Sequence, residues 1–382
     1  MPRDELRQPL RRRSLAERLW ARRPNALMAA SIAALAVFGA GGVWLARQPH
    51  PFAGEPIVSA AIPPAQQLAT ASTDAAPPAE AEATPAEEEQ IVEELPPEAP
   101  AEEATIIVAA RRPMKAAPIG SVTEKSDDGP LPKIASNGRT PADVYAQVTP
   151  MGIMASERPK IAIVLGGMGL NAKLTARAIR ELPGDVTFAF APYGGDLQSQ
   201  VNRARAEGHE VMLQLPMEPM GYPANDPGPN TLLAEAPGAE NIASLRWNMS
   251  RFAGYTGIVN YMGARFLSSP SGMQPFFAEM KKRGLLFLED ASLAMSATRA
   301  VAQATGLKAR NAEVTIDADP DPAKIREALA ALEEQARLNG IAIGTGTGLA
   351  VTIETVADWA RELERKGFVL VPASAAFQGF MG

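Results

Sequence analysis

One stretch of this chain restricts its fold more than any other: an apolar run that ends in glycines and passes directly into a helical pattern. Residues 160–165 read Lys-Ile-Ala-Ile-Val-Leu and are followed by Gly-Gly-Met-Gly at 166–169. Three later apolar runs end in polar residues in the same way, at 214–219, 260–265 and 288–290. In proteins that alternate strands and helices, ligands gather at the carboxyl ends of the strands. The sequence therefore predicts a pocket at one rim of an α/β fold.

The alternation of short apolar runs with amphipathic helical stretches continues from about residue 139 to residue 371. Asn171 and Asp321 are placed to cap two of the helices, and Thr352 is expected to cap the last one. Seven or eight strands that alternate with helices predict a parallel sheet covered by helices. Both an irregular (β/α) barrel and an open doubly wound sheet have this pattern. A Pro-, Gly- and Asn-rich excursion at 220–237 is a candidate binding loop.

The N-terminal region has a different composition. Residues 1–25 contain eight arginines and three acids, and the twenty-one residues at 26–46 carry no charge. At about 1.5 Å per residue such a helix spans about 30 Å, the thickness of a bilayer core. We therefore expect a basic cytoplasmic tail, and a single-pass helix at 26–46 that anchors the chain in a bacterial inner membrane with its C-terminal part in the periplasm.

Two alternatives to an anchor exist for this apolar run. A cleaved signal peptide has a shorter apolar region and a small-residue cleavage site, whereas cleavage after Ala46 would place Trp44 at a position that favours small side chains. A buried core helix is disfavoured because the run adjoins a segment of very different composition.

That segment, residues 47–137, is rich in Pro, Ala and Glu. Between Asp74 and Glu103 there are eleven acids and no Lys or Arg. A chain of this kind cannot bury enough apolar surface to offset its ordering entropy. We expect a disordered, extended spacer that is dispensable for folding of the domain at 138–382. An acidic interaction tail is the alternative.

Composition also limits the chemistry of the folded domain. The chain has no cysteine, and the domain has one histidine, His209, which precedes a strand and so lies at the wrong end for catalysis. The net charge of −6 reflects the acidic spacer. No basic stripe with interleaved aromatic residues is present, so a nucleic-acid partner is not expected.

The glycine-rich segments and the strand-end acids each allow more than one interpretation. The segments 166–169 and 344–348 lack the spacing or the lysine of nucleotide-binding motifs, which favours tight turns or contact with a small ligand. Two carboxylates that meet across a barrel mouth would suit acid–base glycoside chemistry. Such acids also commonly cap helices or pair with a cation such as Arg265. The acids at strand ends are Glu218, Glu289, Asp290, Asp317 and Asp319.

Six blocks, in this order and spacing, resemble the divergent polysaccharide deacetylase family, a branch of the NodB-like carbohydrate esterases. The resemblance runs from about Gly138 to Phe377 and implies an irregular (β/α)7–8 barrel and a cell-envelope carbohydrate context. The blocks are RPKIAIVLGGMGLN, GHEVMLQLPMEP, DPGPNTLL, GYTGIVNYMGARF, RGLLFLED and LVPASAAF.

The resemblance also implies a metal site that this sequence does not reproduce. Members of the wider family have an Asp pair at the end of the first strand, where Gly166 and Gly167 stand here. The positions at which histidines would be expected hold Gln214, Tyr261 and Thr345. A metal deacetylase needs about three protein ligands around an open position. We therefore expect no metal and no other cofactor, although several acids that converge would suit calcium or magnesium.

Two functions from different classes remain. The first is a non-catalytic envelope protein, a pseudoenzyme that binds a glycan or a periplasmic partner protein. The second is a hydrolase or deacetylase acting on envelope polysaccharide, with Glu218 and Asp290 as candidate catalytic acids. The candidate binding residues are Gly166, Gly167, Gln214, Glu218, Asn260, Tyr261, Arg265, Asp290 and Thr345.

Overall fold

The computed structural model describes residues 112–293 and 295–378. The chain divides into two units, Met1–Pro97 and Glu98–Gly382, and every described residue belongs to the second. The expected basic tail, the expected anchor at 26–46 and most of the expected spacer lie outside the described residues. Within the part of the chain that is described, no helix has the length and apolarity needed to cross a membrane.

The described chain alternates strands and helices after a short hairpin. Its strands are β1 (Thr123–Ser126), β2 (Gly129–Pro132), β3 (Lys160–Met168), β4 (Thr187–Phe190), β5 (Val211–Met217), β6 (Gly257–Met262), β7 (Leu286–Glu289), β8 (Ala309–Asn311), β9 (Val314–Thr315), β10 (Ile341–Thr347) and β11 (Val369–Leu370). Its α-helices are α1 (Pro141–Tyr145), α2 (Met151–Ala155), α3 (Ala172–Glu181), α4 (Leu197–Ala206), α5 (Gly238–Met249), α6 (Pro270–Arg283), α7 (Thr298–Thr305), α8 (Pro322–Asn339) and α9 (Ala350–Leu363).

Strands β3 to β11 form one sheet in the order β8-β7-β6-β5-β4-β3-β10-β9, with β11 paired to the amino end of β3. All of these pairs are parallel. From β3 to β8 the order never reverses, unlike that of a doubly wound sheet. The described fold is an α/β half-barrel of parallel strands, which confirms the predicted class.

The two edge strands of the sheet, β8 and β9, follow each other in the chain with only Ala312 and Glu313 between them. Ala312 N donates to the carbonyl of Glu289 at 2.8 Å, and Glu313 N donates to the carbonyl of Ile343 at 2.9 Å. One extended segment therefore bonds to β7 with its first half and to β10 with its second half. We call residues 309–315 the seam.

Alternate residues of the strands face two separate apolar clusters, as a pleated strand requires. Ile163 of β3 packs in the cluster shared with the helices, whereas Val164 packs in a smaller interior cluster. The C-terminal segment supplies Val371 and Phe377 to that interior cluster. Because β11 pairs with the amino end of β3, this segment fills the amino end of the half-barrel and leaves space at the carboxyl end.

The folded part begins earlier than the sequence suggests. Asn202 of α4 exchanges two hydrogen bonds with the backbone of Ala117, at 2.8 and 3.0 Å. The guanidinium of Arg205 donates to the carbonyl of Lys115 at 3.0 Å, and that of Arg283 donates to the carbonyl of Pro132 at 2.8 Å. For residues 112–137 the expectation of a disordered spacer is therefore wrong. These residues are held by such backbone contacts and by a few widely spaced buried side chains, Ala117, Val122, Leu131 and Ala135.

Two of the three expected helix caps are confirmed. The side chain of Asn171 accepts from the backbone of residues 173 and 174, and that of Asp321 does the same for residues 323 and 324. The expected cap at Thr352 is wrong, because α9 already begins at Ala350. The hydroxyl of Thr352 instead donates to Asp317 Oδ2 at 2.8 Å.

Candidate functional site

A cavity of about 460 Å³ opens at the carboxyl ends of the parallel strands. This is the rim at which the sequence predicts a pocket. Seven of the nine candidate binding residues line it: Gly166, Gly167, Gln214, Asn260, Tyr261, Asp290 and Thr345.

The floor of the cavity is formed by two glycines and one amide. Gln214 Oε1 accepts from the backbone N–H of Gly167 at 2.7 Å. A Cβ atom added at Gly166 would collide with Nε2 of Gln214, so any side chain there requires Gln214 to move. Gly167 has φ +73°, a conformation that favours glycine. The amide of Gln214 thus occupies the space that a side chain at position 166 would need.

Two threonine hydroxyls in the cavity wall have no partner. Thr345 of β10 pairs with Thr315 of β9 in the sheet register, and both line the cavity. Their Oγ1 atoms are buried and make no hydrogen bond to the rest of the described chain. Thr345 is only 6% exposed. Because buried polar groups are normally paired, these hydroxyls are suited to the polar groups of a ligand or to ordered water.

Two carboxylates, which lie just past the ends of β7 and β9, also line the cavity. Asp290 Oδ1 accepts from the hydroxyl of Ser292 at 2.5 Å, and the Asp290 N–H donates to Asn260 Oδ1 at 2.8 Å. Asp317 Oδ2 accepts from the backbone N–H of Thr347 at 2.7 Å. Burial raises the pKa of Asp317, against the opposing effect of its hydrogen bonds. Both acids are oriented by hydrogen bonds from neighbouring residues.

Aromatic and proline side chains supply part of the apolar wall of the cavity. Tyr261 is 41% exposed and follows the buried Asn260, and Met262 then has φ +58°, a strained value that turns the chain away from β6. The hydroxyl of Tyr193 donates to the carbonyl of Pro229 at 2.7 Å. This bond holds the excursion at 220–237 beside the cavity, which Pro227 lines.

The other two candidate binding residues lie outside the cavity lining. Glu218 Oε2 accepts from the N–H of Ala234 at 2.6 Å, and its Oε1 lies 3.0 Å from Nε of Arg265. Arg265 also pairs with Glu235 at 2.6 Å. These bonds fasten the end of the excursion to the loop after β6. The cavity does not bring Glu218 and Asp290 together, and the carboxylates that it does contain are Asp290 and Asp317.

The remaining sequence candidates are placed elsewhere. His209 is fully buried at the amino end of β5, where its Nδ1 lies 2.9 Å from the carbonyl oxygen of Val186 and its ring stacks on Phe188. Glu289 faces the helical side, where Ser296 Oγ donates to its Oε2 at 2.7 Å and burial raises its pKa. Asp319 is exposed.

The sequence matches the family model of divergent polysaccharide deacetylases over residues 163–377. The chain belongs to this family. Its relatives include the uncharacterized protein YibQ of Escherichia coli (strain K12), 26% identical over 197 residues, which cover 52% of this chain and 61% of YibQ. An uncharacterized protein of Haemophilus influenzae (strain ATCC 51907 / DSM 11121 / KW20 / Rd) is 24% identical over 204 residues, or 53% of this chain and 72% of that protein.

A crystal structure supports the fold of this divergent deacetylase domain. The uncharacterized protein ATU2773 from Agrobacterium tumefaciens C58 matches it with a TM-score of 0.63 and 40% sequence identity, over 65% of this chain and 99% of that one.

The residues of this divergent deacetylase domain do not fit the metal site that the wider family implies. At those positions Gly166 and Gly167 offer backbone only, Gln214 an amide, Tyr261 a phenol and Thr345 a hydroxyl. Zinc in proteins is held by thiolate, imidazole and carboxylate groups. Nowhere in residues 112–293 and 295–378 do three or more His, Cys, Asp or Glu residues form a group suited to a metal ion.

The candidate binding residues did not include six residues that line the cavity, of which Asp317 was named only as a strand-end acid: Tyr193, Pro227, Ser292, Thr315, Asp317 and Thr347. One signal was available for the threonines. In Gly344-Thr345-Gly346-Thr347 the two threonines are two positions apart on a strand, which places both on one face. The segment 220–237 was also expected to contribute, and Pro227 does so.

Proposed function

We propose that this domain binds an envelope glycan in the strand-end cavity without cleaving it. The observation that carries this proposal is the floor of the cavity. The amide of Gln214 is bonded to Gly167 and fills the space beside Gly166, where a metal-dependent deacetylase needs charged ligands. A binding pocket remains, with unpartnered hydroxyls at Thr345 and Thr315.

The size and the lining of the cavity support a carbohydrate ligand. About 460 Å³ falls within the range of small-ligand pockets. Sugars have apolar ring faces bordered by hydroxyl groups, so they suit a wall that combines exposed aromatic surface with hydroxyl, amide and carboxylate groups. Tyr261 supplies the aromatic surface, and Thr345, Asn260 and Asp290 supply polar groups.

The proposal includes a setting for this activity. We infer that residues 26–46 anchor the chain in the inner membrane, that the segment after them extends into the periplasm, and that it presents an irregular (β/α) barrel of seven or eight strands. A periplasmic protein is the other partner that this setting allows.

Hydrolysis or deacetylation of envelope carbohydrate is the second candidate function. The observation that favours it is that two carboxylates, Asp290 and Asp317, line one cavity. Burial raises the pKa of Asp317, as is needed for a general acid.

Calorimetric titration of the full chain with chito-oligosaccharides, in N-acetylated and in deacetylated form, tests the first proposal. Thr345→Val removes one hydroxyl at nearly constant volume and is expected to weaken binding about tenfold. Thr355→Val is the matched control, because Thr355 is also buried but its hydroxyl bonds within α9, to the carbonyl of Val351 at 2.8 Å. Failure of both sugars to bind would refute the proposal. Release of acetate or of reducing ends that Asp317→Asn abolishes would establish the second function instead.

A further inference from the structure

We propose that the cavity selects amino sugars with a free ammonium group over their N-acetylated counterparts. This inference rests on the proposed function and names the class of glycan that the same cavity takes.

The first argument is the balance of charge in the cavity. Asp290 and Asp317 line it, and the described lining residues include no Lys, Arg or His. A neutral sugar would leave these carboxylates partly desolvated without an opposite charge, which is unfavourable. An ammonium group supplies that charge, so the electrostatic part of the binding free energy favours the deacetylated form.

The second argument is the kind of hydrogen-bonding group that the wall leaves unpaired. Thr345 is 6% exposed, lines the cavity and has an unpartnered Oγ1, and Thr315 beside it has one too. An ammonium group has three N–H donors and no acceptor. Each of the two hydroxyls and the carboxylate of Asp290 is an acceptor for N–H donors of this kind. An acetamide brings one N–H donor, one acceptor and a methyl group, and its acceptor pairs with a hydroxyl but not with a carboxylate, so the carboxylate of Asp290 is the group that favours the ammonium form.

The third argument is the aromatic surface at the same wall. Tyr261 is 41% exposed and lines the cavity together with Tyr193. A tyrosine face attracts a cation placed over it and also stacks against the apolar face of a sugar ring. Both contacts are available to a protonated amino sugar.

A divalent cation is a poorer occupant than an ammonium group. Calcium takes six to eight oxygen ligands, commonly with several carboxylates. The cavity has two carboxylates, and Asp317 already accepts from Thr347 and Thr352. In the described part of the chain, no three or more His, Cys, Asp or Glu residues form a group that could hold a metal ion.

The test compares three oligosaccharides of one length by calorimetry on the full chain at about pH 6, below the ordinary pKa of an amine. They are fully deacetylated chito-oligosaccharide, its fully N-acetylated form, and nitrogen-free cello-oligosaccharide. We expect the deacetylated sugar to bind at least about tenfold more tightly than either of the others. Asp290→Asn should reduce that preference to near unity. Asp319→Asn is the control, because it removes one charge from an exposed neighbour and should preserve the preference.

Each outcome separates this inference from the proposed function. Equal binding of the three sugars, or tighter binding of the acetylated one, overturns the inference and leaves glycan binding intact, whereas no binding at all refutes both. Equal loss of preference in Asp290→Asn and Asp319→Asn would show a general charge effect and would overturn the inference. Stoichiometric calcium binding that requires Asp290 would do the same. If Asp290→Asn melts early, Asp317→Asn replaces it.

Discussion

The two ends of the half-barrel treat their polar groups differently. At the amino end the two carboxylate oxygens of Glu210 accept from the backbone N–H groups of Ser374 and Gln147, at 2.9 and 3.2 Å. Arg205 donates there to the carbonyls of Lys115, Tyr145 and Gly254. Not every polar atom at the amino end is paired, since Ser374 Oγ makes no hydrogen bond to the described chain, but the unpartnered hydroxyls on residues that line the cavity, Thr315 and Thr345, are at the carboxyl end.

This difference separates groups that stabilise the fold from groups that are available to a ligand. A buried charge with its hydrogen bonds made holds segments together, and removing one partner is costly. An unpaired buried hydroxyl costs stability, so its presence at a cavity wall indicates a role outside folding. The amino end therefore holds distant segments of the fold together, and the carboxyl end presents polar groups at a cavity.

The largest effect is expected from removing the N-terminal segment that packs at the amino end. A chain that begins at Gly138 loses the backbone groups of Ala117, Lys115 and Pro132, each of which bonds to a buried or half-buried side chain of the domain. We expect it to lose about 4 kcal/mol or more of stability, or about 10 °C in melting temperature, relative to a chain that begins at Arg112. Calorimetry measures this loss. Equal melting of the two chains would show that the segment does not stabilise the fold.

A matched pair of threonines tests the comparison directly. Thr187 at the amino end accepts from the N–H of Ala373 at 2.9 Å, and both residues are buried. Thr187→Val leaves that N–H unpaired and is expected to cost about 1–2 kcal/mol. Thr345→Val removes a hydroxyl that has no partner and should be neutral or slightly stabilising. Urea denaturation measures the free energy of unfolding of both variants. Equal losses of stability would contradict the difference between the two ends.

Glu289 tests whether the burial of a carboxylate lowers the stability of the fold at the carboxyl end of the strands. Its side chain is fully buried, and burial raises its pKa against the opposing effect of hydrogen bonds from Thr298 and Ser296. Between the ordinary carboxyl pKa and the raised one, the folded protein holds the extra proton, so stability falls as pH rises through that range.

The neutral side chain of Glu289→Gln does not ionise, so the variant does not lose stability as pH rises. We expect the variant to be about 1 kcal/mol more stable than the parent at neutral pH, with the difference shrinking as pH falls toward about 4.3. Denaturation at several pH values, with the exposed Glu327→Gln as control, measures it. A difference independent of pH would exclude titration of Glu289 as the cause.

The smallest effect is expected from chelation. Because the residues at the family's ligand positions do not fit a metal, EDTA should leave the melting temperature of the full chain unchanged. A retained equivalent of zinc, calcium or magnesium whose removal lowers the melting temperature would contradict this and would assign the carboxyl end a metal.

The sequence predicted those parts of the molecule that depend on neighbouring residues. Helix capping by Asn171 and Asp321 is local, and so is the strand pattern that places Gly166 and Thr345 at one rim. Contacts between residues that are far apart in the chain leave no comparable pattern in the sequence. The bonds between Ala117 and Asn202 join residues 85 positions apart, so residues 112–137 resembled a spacer.

The site was predictable to the same extent. The alternation of side chains along β10 places Thr345 in the cavity. The strand-end position of Glu218 gave no indication that Ala234 and Arg265 would bond to both of its carboxylate oxygens. Asp317 was recognised as a strand-end acid, yet its place in the same cavity as Asp290 depends on the seam. The seam contains two strands of three and two residues, too short for a clear hydrophobic period.

The seam also limits how other proteins recognise this domain. An extended peptide often binds by adding itself as one more strand along an unpaired sheet border. Here the carboxylate of Glu313 accepts from the N–H of Ile343 at 2.6 Å, and Arg310 donates to the carbonyls of Ile341 and Ala376. Backbone groups that a visiting strand would need are already engaged. At this border a protein partner is therefore expected to contact side chains and loops, and the seam offers little template for fibrous self-association.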